Sequence, residues 1–246
     1  MTRRWALAAM VLTVFAASAA PAGAVTLLPG FTDEVVTTVG APTAFAFTPD
    51  GRMLITTQPG RLRVFSGGTL LTTPALDLSA STCSNSERGM LGVAVDPSFA
   101  ANGYVYIFRT FNSAGTCVNR VSRFVMSGNT ISPATEFVLV DNMPSTAGNH
   151  NAGDVQFGKD GYLYISIGDG GCDYADPTQC AGANNAARDQ NVLTGKILRI
   201  TPTGAIPPTN PYLGPDSALR RHRPHHRREV PGDVRLGPAQ PVPHGV

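Results

Sequence analysis

The sequence is short of charge. Asp, Glu, Lys and Arg make up 15% of its 246 residues, whereas Gly and Pro number 26 and 20. Scarce charge with that much Gly and Pro argues against a helical bundle and suits many short strands joined by tight turns. The little charge present is uneven. From Leu219 onward six Arg face Glu229 and Asp233, so the +2 of the whole chain conceals a body, residues 1–218, that carries −2. That body has no basic stripe, which excludes a nucleic-acid partner. There is no Cys-x-x-Cys pair, no zinc-binding His-Glu-x-x-His, no Gly-x-Ser-x-Gly elbow and no Walker loop. Zinc protease, serine hydrolase and nucleotidase chemistries have no footing.

Long apolar runs are also missing, apart from one at the start. Arg3 and Arg4 precede an apolar stretch from Trp5 to Ala20, then Pro21 and the small residues Ala22-Gly23-Ala24. This order of basic, apolar and small residues reads as a cleaved signal peptide over residues 1–24, and so as a secreted, extracellular or periplasmic protein. The run is shorter than the ~20 residues that span a bilayer, and no second one follows, so no membrane span is expected.

Four cysteines in an exported chain favour two disulfides. The sequence leaves their connectivity open; Cys172 with Cys180 is the favoured local pairing, because the two flank the loop 173–179. Cys83 with Cys117 would then bracket the second of three repeats. Each repeat is an alternating apolar strand, a polar turn ending in Gly, and a second apolar strand. The first runs Phe45-Ala46-Phe47, Asp50-Gly51, Met53-Leu54-Ile55. The second runs Val93-Ala94-Val95, Asn102-Gly103, Tyr104-Val105-Tyr106-Ile107-Phe108. The third runs Val155-Gln156-Phe157, Asp160-Gly161, Tyr162-Leu163-Tyr164-Ile165. Asp-Gly and Asn-Gly are strong hairpin signals because both residues tolerate positive φ. The turn glycines lie 52 and then 58 residues apart, a period that points to β-propeller blades, with a β-sandwich as the alternative. A later strand completes each copy: Arg61–Phe65, Arg120–Phe124 and Lys196–Ile200. Basic and apolar residues alternate in all three, the pattern of a strand with one solvated face.

Four stretches, in this order and spacing, resemble the glucose/sorbosone dehydrogenase family. They are Glu87-Arg88-Gly89-Met90-Leu91-Gly92-Val93-Ala94, Gly148-Asn149-His150-Asn151-Ala152-Gly153, Tyr162 through Gly171, and Gly195 through Ile200. The resemblance covers residues 28–217 and about the first half of the family's propeller. It implies an all-β, six-bladed β-propeller, here an incomplete one of three to four blades over residues 25–217. It also implies pyrroloquinoline quinone (PQQ) as cofactor, calcium to polarise it, and a sugar as substrate. In that chemistry a histidine takes the proton of a sugar hydroxyl while hydride passes to the quinone. The matching histidine is His150, and imidazole has the pKa range a general base needs.

Asn149 stands where the family has an aspartate that orients the base. Glu87 stands where it has a glutamine that touches the quinone, with Arg88 beside it to neutralise the carboxylate. These departures keep open a non-catalytic propeller that binds glycan or protein, and a calcium-dependent lactonase is a third reading. Asp169, Asp173 and Asp176 read as solvated turn residues rather than a cation loop, and the family's calcium site is expected to lie outside this chain.

The chain changes character after the connector Pro207–Tyr212. Residues 218–246 form an Arg-, Pro- and His-rich tail, including Arg220–Arg228, that cannot bury enough apolar surface to fold. Codons exist for Val230–Gly245 such that a one-nucleotide shift reads Cys-Gln-Glu-Met-Tyr-Ala-Trp-Gly-Leu-Arg-Asn-Pro-Phe-Arg-Met-Ala. That resembles the strand the family carries at this place. The sequence therefore predicts a frameshift near residues 216–220, a disordered tail and a truncated, inactive chain.

Overall fold

A computed structural model describes residues 27–171, 186–187 and 192–211 of the chain. The expected signal segment, Cys172, Cys180, Asp173, Asp176 and the tail lie outside the described residues. The chain divides into two units, 1–36 and 37–246. In the first, residues 27–36 are irregular, with one turn closed by the Phe31 N–H on the Leu28 carbonyl.

Among the described residues the second unit holds three antiparallel sheets, built one after another along the chain. Sheet 1 comprises β1 (Pro42–Phe47), β2 (Met53–Thr57) and β3 (Arg61–Ser66), with the two-residue β4 (Thr69–Leu70) and β5 (Leu76–Asp77) both against β3. Sheet 2 comprises β6 (Met90–Val95), β7 (Tyr104–Ser113), β8 (Thr116–Ser127), β9 (Thr130–Ile131) and β10 (Phe137–Pro144). Its main path runs β10-β8-β7-β6, and a single helical turn, α1 (Phe99–Asn102), sits between β6 and β7. Sheet 3 comprises β11 (Ala152–Phe157), β12 (Leu163–Ile167) and β13 (Lys196–Ile200).

The strands follow the alternation in the sequence. Phe45, Ile55 and Arg63 stand side by side in register on one face of sheet 1, with Leu54 and Val64 on the other. The same registers recur in sheets 2 and 3, where Ile107 faces Val93 and Ser122, and Ile165 faces Val155 and Leu198. Two apolar cores result. Leu54, Leu62 and Val64 of sheet 1 pack with Val93, Val105, Ile107 and Phe124 of sheet 2. Tyr106, Phe108 and Val121 of sheet 2 pack with Val155, Leu163, Ile165 and Leu198 of sheet 3. Sheet 2 is therefore buried on both faces. This sequential stacking is the arrangement of propeller blades and departs from the two facing sheets of a sandwich.

Where β6 meets β11 the backbones nearly touch. A Cβ on Gly92 would lie 2.0 Å from the Gly153 carbonyl oxygen, so only glycine fits there. Among the described residues the disulfide is Cys83–Cys117, spanning 34 residues and tying the segment before β6 to the β7–β8 hairpin. A loop of that length is worth about 3–4 kcal/mol of unfolded-state constraint.

One expectation needs correcting. Arg61 of the third strand in sheet 1 is exposed as the alternation predicts, but the basic residues of the third strands in sheets 2 and 3 do not line a solvated face. Lys196 is buried, its ammonium capped by the carbonyls of Ala186 and Thr194. Arg120 lies 3.7 Å above the Phe111 ring and pairs with Asp141, and Arg199 stacks on Tyr162 while pairing with Asp160. A long cationic side chain keeps its charge satisfied while its stem packs on rings, so alternation alone does not distinguish solvation from stacking.

Candidate active site

The segment from Ser145 to Gly153 joins sheet 2 to sheet 3 and holds His150. It is fixed from below by a buried polar chain. Asn151, 1% exposed, accepts from the Ser145 hydroxyl at 2.6 Å and from Asn119 at 3.2 Å, and donates to the Gly148 carbonyl at 3.0 Å. Asn119 in turn accepts from the Thr110 hydroxyl at 2.9 Å. Buried amides and hydroxyls with every partner in place favour one conformation strongly, because any other leaves a polar group unsatisfied.

On this support His150 adopts a left-handed φ of +54°, uncommon for a residue with a Cβ. Its carbonyl accepts from the Gly170 N–H, and the neighbouring Asn151 carbonyl accepts from the Gly168 N–H. Gly168 lies so flat on this turn that a Cβ would sit 1.6 Å from the His150 oxygen. The Gly168–Gly170 stretch thereby brings Asp169 to the imidazole, with His150 Nδ1 2.9 Å from Asp169 Oδ1. The same oxygen accepts the Gly171 N–H at 3.1 Å. The His150 side chain stays 38% exposed and Asp169 23%, so the pair is open to a ligand.

Three more residues singled out in the sequence surround it. Glu87 is exposed and its carboxylate accepts the backbone N–H of His150 at 2.7 Å. Arg88 is 9% exposed, with its guanidinium on the Ser145 hydroxyl, the carbonyls of Ser145 and Thr146, and Asn85. Asn149 places its side-chain oxygen in a buried spot against Gly171, without a hydrogen-bond partner among the described residues. The residue on His150 Nδ1 is therefore Asp169, 19 positions further along, and not the adjacent Asn149. Sequence reading placed Asp169 in a solvated turn. The signal that could have found it is the Gly-Asp-Gly triplet ending a buried strand, where flanking glycines permit close approach to another loop.

The two residues assigned to the quinone do not form a cradle for it. Arg88 is turned inward and its donors are taken by carbonyls and a hydroxyl, while Glu87 offers a carboxylate, already engaged, to a cofactor that is itself anionic. Among the described residues no group of three or more His, Cys, Asp or Glu side chains could hold a metal ion. No described helix is long and apolar enough to cross a membrane.

A family profile for Glucose / Sorbosone dehydrogenase matches residues 39–222. The aldose sugar dehydrogenase YliI of Escherichia coli K12 is 32% identical over 179 residues, covering 70% of this chain and 44% of its own length. Among solved structures, a candidate glucose dehydrogenase from Thermus thermophilus superposes with a TM-score of 0.63 at 36% identity, over 75% of this chain and 51% of that one. The PQQ-bound aldose sugar dehydrogenase of Streptomyces coelicolor gives 0.59 at 27% identity, over 72% and 49%. The chain spans about half the length of these relatives. Three sequentially stacked antiparallel sheets, a His–Asp pair on the loop between the last two, and a profile match across most of the chain place it in the glucose/sorbosone dehydrogenase family.

Proposed function

We propose that this chain is the front half of an exported, PQQ-dependent aldose dehydrogenase in which His150 is the general base. The observation that carries the reading is the His150–Asp169 pair. An ionised carboxylate can only accept, so it fixes the imidazole proton on Nδ1 and leaves the Nε2 lone pair free. A sugar hydroxyl placed against Nε2 gives up its proton there, and Asp169 stabilises the imidazolium that forms. The aldose class comes from the names of the E. coli and Streptomyces relatives. Export rests on Arg3, Arg4 and the apolar run to Ala20. No quinone contact is assigned to Glu87 or Arg88, and no calcium ligand to the described residues.

The same reading includes a change of frame near residues 216–220. The end of the profile match at residue 222, inside the run Arg220–Arg228, supports it. Sequencing genomic DNA across this junction tests it, and an uninterrupted frame in independent reads would refute it.

The activity test uses the frame-corrected protein in dye-linked oxidation of a panel of aldoses, with calcium and with or without PQQ. Oxidation that needs the quinone is expected. It should fall by a factor on the order of 1,000 in His150→Ala, and by a similar factor in Asp169→Asn, which strips the charge that stabilises the imidazolium. A folded protein inert toward every aldose would instead favour a propeller that binds glycan or protein.

A further inference from the structure

Around His150 the backbone alternates in hand. Gly148, His150 and Ala152 have φ of +88°, +54° and +54°, whereas Asn149 and Asn151 between them keep negative φ. Changes of hand in the backbone are how turns come to offer N–H groups to an anion, and here the N–H so offered is that of His150. On the carbonyl side, Gly170 and Gly168 donate to His150 and Asn151. On the N–H side the anion is the carboxylate of Glu87, 2.7 Å from the His150 nitrogen. The clamp is reciprocal, since the Glu87 N–H donates to the Gly148 carbonyl at 3.1 Å. The loop that delivers Glu87 is itself anchored, because the next residue is the buried Arg88, held on Ser145 and Thr146.

The geometry points to Glu87 as a positioning residue for the base, acting as a hydrogen-bond acceptor that holds His150 in its left-handed conformation, and not as a contact to the cofactor. Glu87 fixes His150 at the backbone and Asp169 fixes it at Nδ1, so two carboxylates from two different loops determine where the imidazole points. The inference rests on the reading of His150 as the base, but its test needs neither sugar nor quinone.

The test is NMR on the full chain labelled with ¹⁵N-histidine, with the His150 signals identified by their absence in His150→Gln. In the unmodified chain the His150 amide should exchange with solvent slowly, although it lies ahead of β11. In Glu87→Ala that exchange should accelerate by about 10-fold or more, and the ring nitrogens should lose the pattern of a single Nδ1–H tautomer. Glu87→Gln, which keeps an acceptor oxygen, should restore both signals to within about 2-fold. An unprotected His150 amide in the unmodified chain would overturn the proposal whether or not any variant folds. So would a folded Glu87→Ala chain with unchanged signals, or a Glu87→Gln chain that behaves like Glu87→Ala. Loss of the dehydrogenase reading, by contrast, would leave every one of these signals as expected.

Discussion

The two outermost sheet faces carry the same repeat and opposite chemistry. Phe45 and Phe47 of sheet 1 occupy the places of Val93 and Val95 in sheet 2, and of Val155 and Phe157 in sheet 3. Val93 is 2% exposed and Val155 fully buried, each against the preceding sheet, whereas Phe45 and Phe47 are 63% and 61% exposed, edge to face with one another. At the other end, the places held by Ala44 and Ala46 in sheet 1, and by Gly92 and Ala94 in sheet 2, fall to Asp154 and Gln156, both exposed. Strand pattern alone therefore does not decide burial. A strand face is buried where a neighbouring sheet lies, and the sequence of the polar end is adapted to water while that of the Phe45 end is not.

The comparison breaks most sharply at its two matched positions. Val155→Asp places a charge in the core between sheets 2 and 3 and should cost about 4 kcal/mol, measured by urea unfolding. Phe45→Asp at the equivalent place should change stability by no more than about 0.5 kcal/mol. A large loss from Phe45→Asp would mean that the face is covered in solution.

A finer version uses two tyrosines at one repeat position. Tyr106 is fully buried, with its hydroxyl donating to Asp96 at 2.8 Å and its ring edge to face with Phe157, and burial together with the Asp96 carboxylate pushes its phenol well above the ordinary range. Tyr164, half-buried, donates to Asp160 at 2.8 Å. Tyr106→Phe leaves the buried Asp96 short of a donor and should cost about 1.5 kcal/mol, whereas Tyr164→Phe should cost a few tenths, roughly 0.3 kcal/mol. Equal losses would erase the distinction between an inner and an outer face.

Much of this architecture was legible from residues. Asp-Gly and Asn-Gly turns between alternating runs locate β1–β2, β6–β7 and β11–β12, and the expected Cys83–Cys117 disulfide is present. β10 was not legible. Its sequence has no turn glycine to announce it, and its register against β8 slips twice. The polar chain Thr110–Asn119–Asn151–Ser145 was equally hidden, because a buried amide and a solvated one look alike until the partners from two strands and a loop converge. His150, the proposed base, was visible as a histidine in a glycine-rich loop. Its partner was not, because only the close approach of Gly168 to the His150 carbonyl brings Asp169 within reach.

The smallest expected effect separates the turns of the two end sheets. Asp50 and Asp160 hold the same turn position. Hydrogen bonds from the Arg52 guanidinium and the Thr48 hydroxyl hold the Asp50 carboxyl well below the usual carboxylate range. Burial pulls Asp160 upward, but hydrogen bonds from Tyr164, the Tyr162 N–H and Arg199 outweigh it and lower this carboxyl too. A carboxyl depressed on folding adds stability above its unfolded pKa, and that stability drains away as pH falls through the folded value. Asp50→Asn and Asp160→Asn should therefore each lower the melting temperature at pH 6 and converge on the unmodified chain as pH drops below about 4. Both side chains are more than a third exposed, so solvent screening keeps each effect under about 1 kcal/mol. The partners differ in where they reach. Arg52 ties the turn at Asp50 to Gly128 and Asn129 of the β8–β9 turn, whereas Arg199 brings β13 and, through Asn210, the connector beyond it to the turn at Asp160. Loss of Asp160 should therefore also speed amide exchange around Asn210, whose N–H donates to Pro207, while loss of Asp50 should speed exchange at the β8–β9 turn that Arg52 holds and leave Asn210 unchanged.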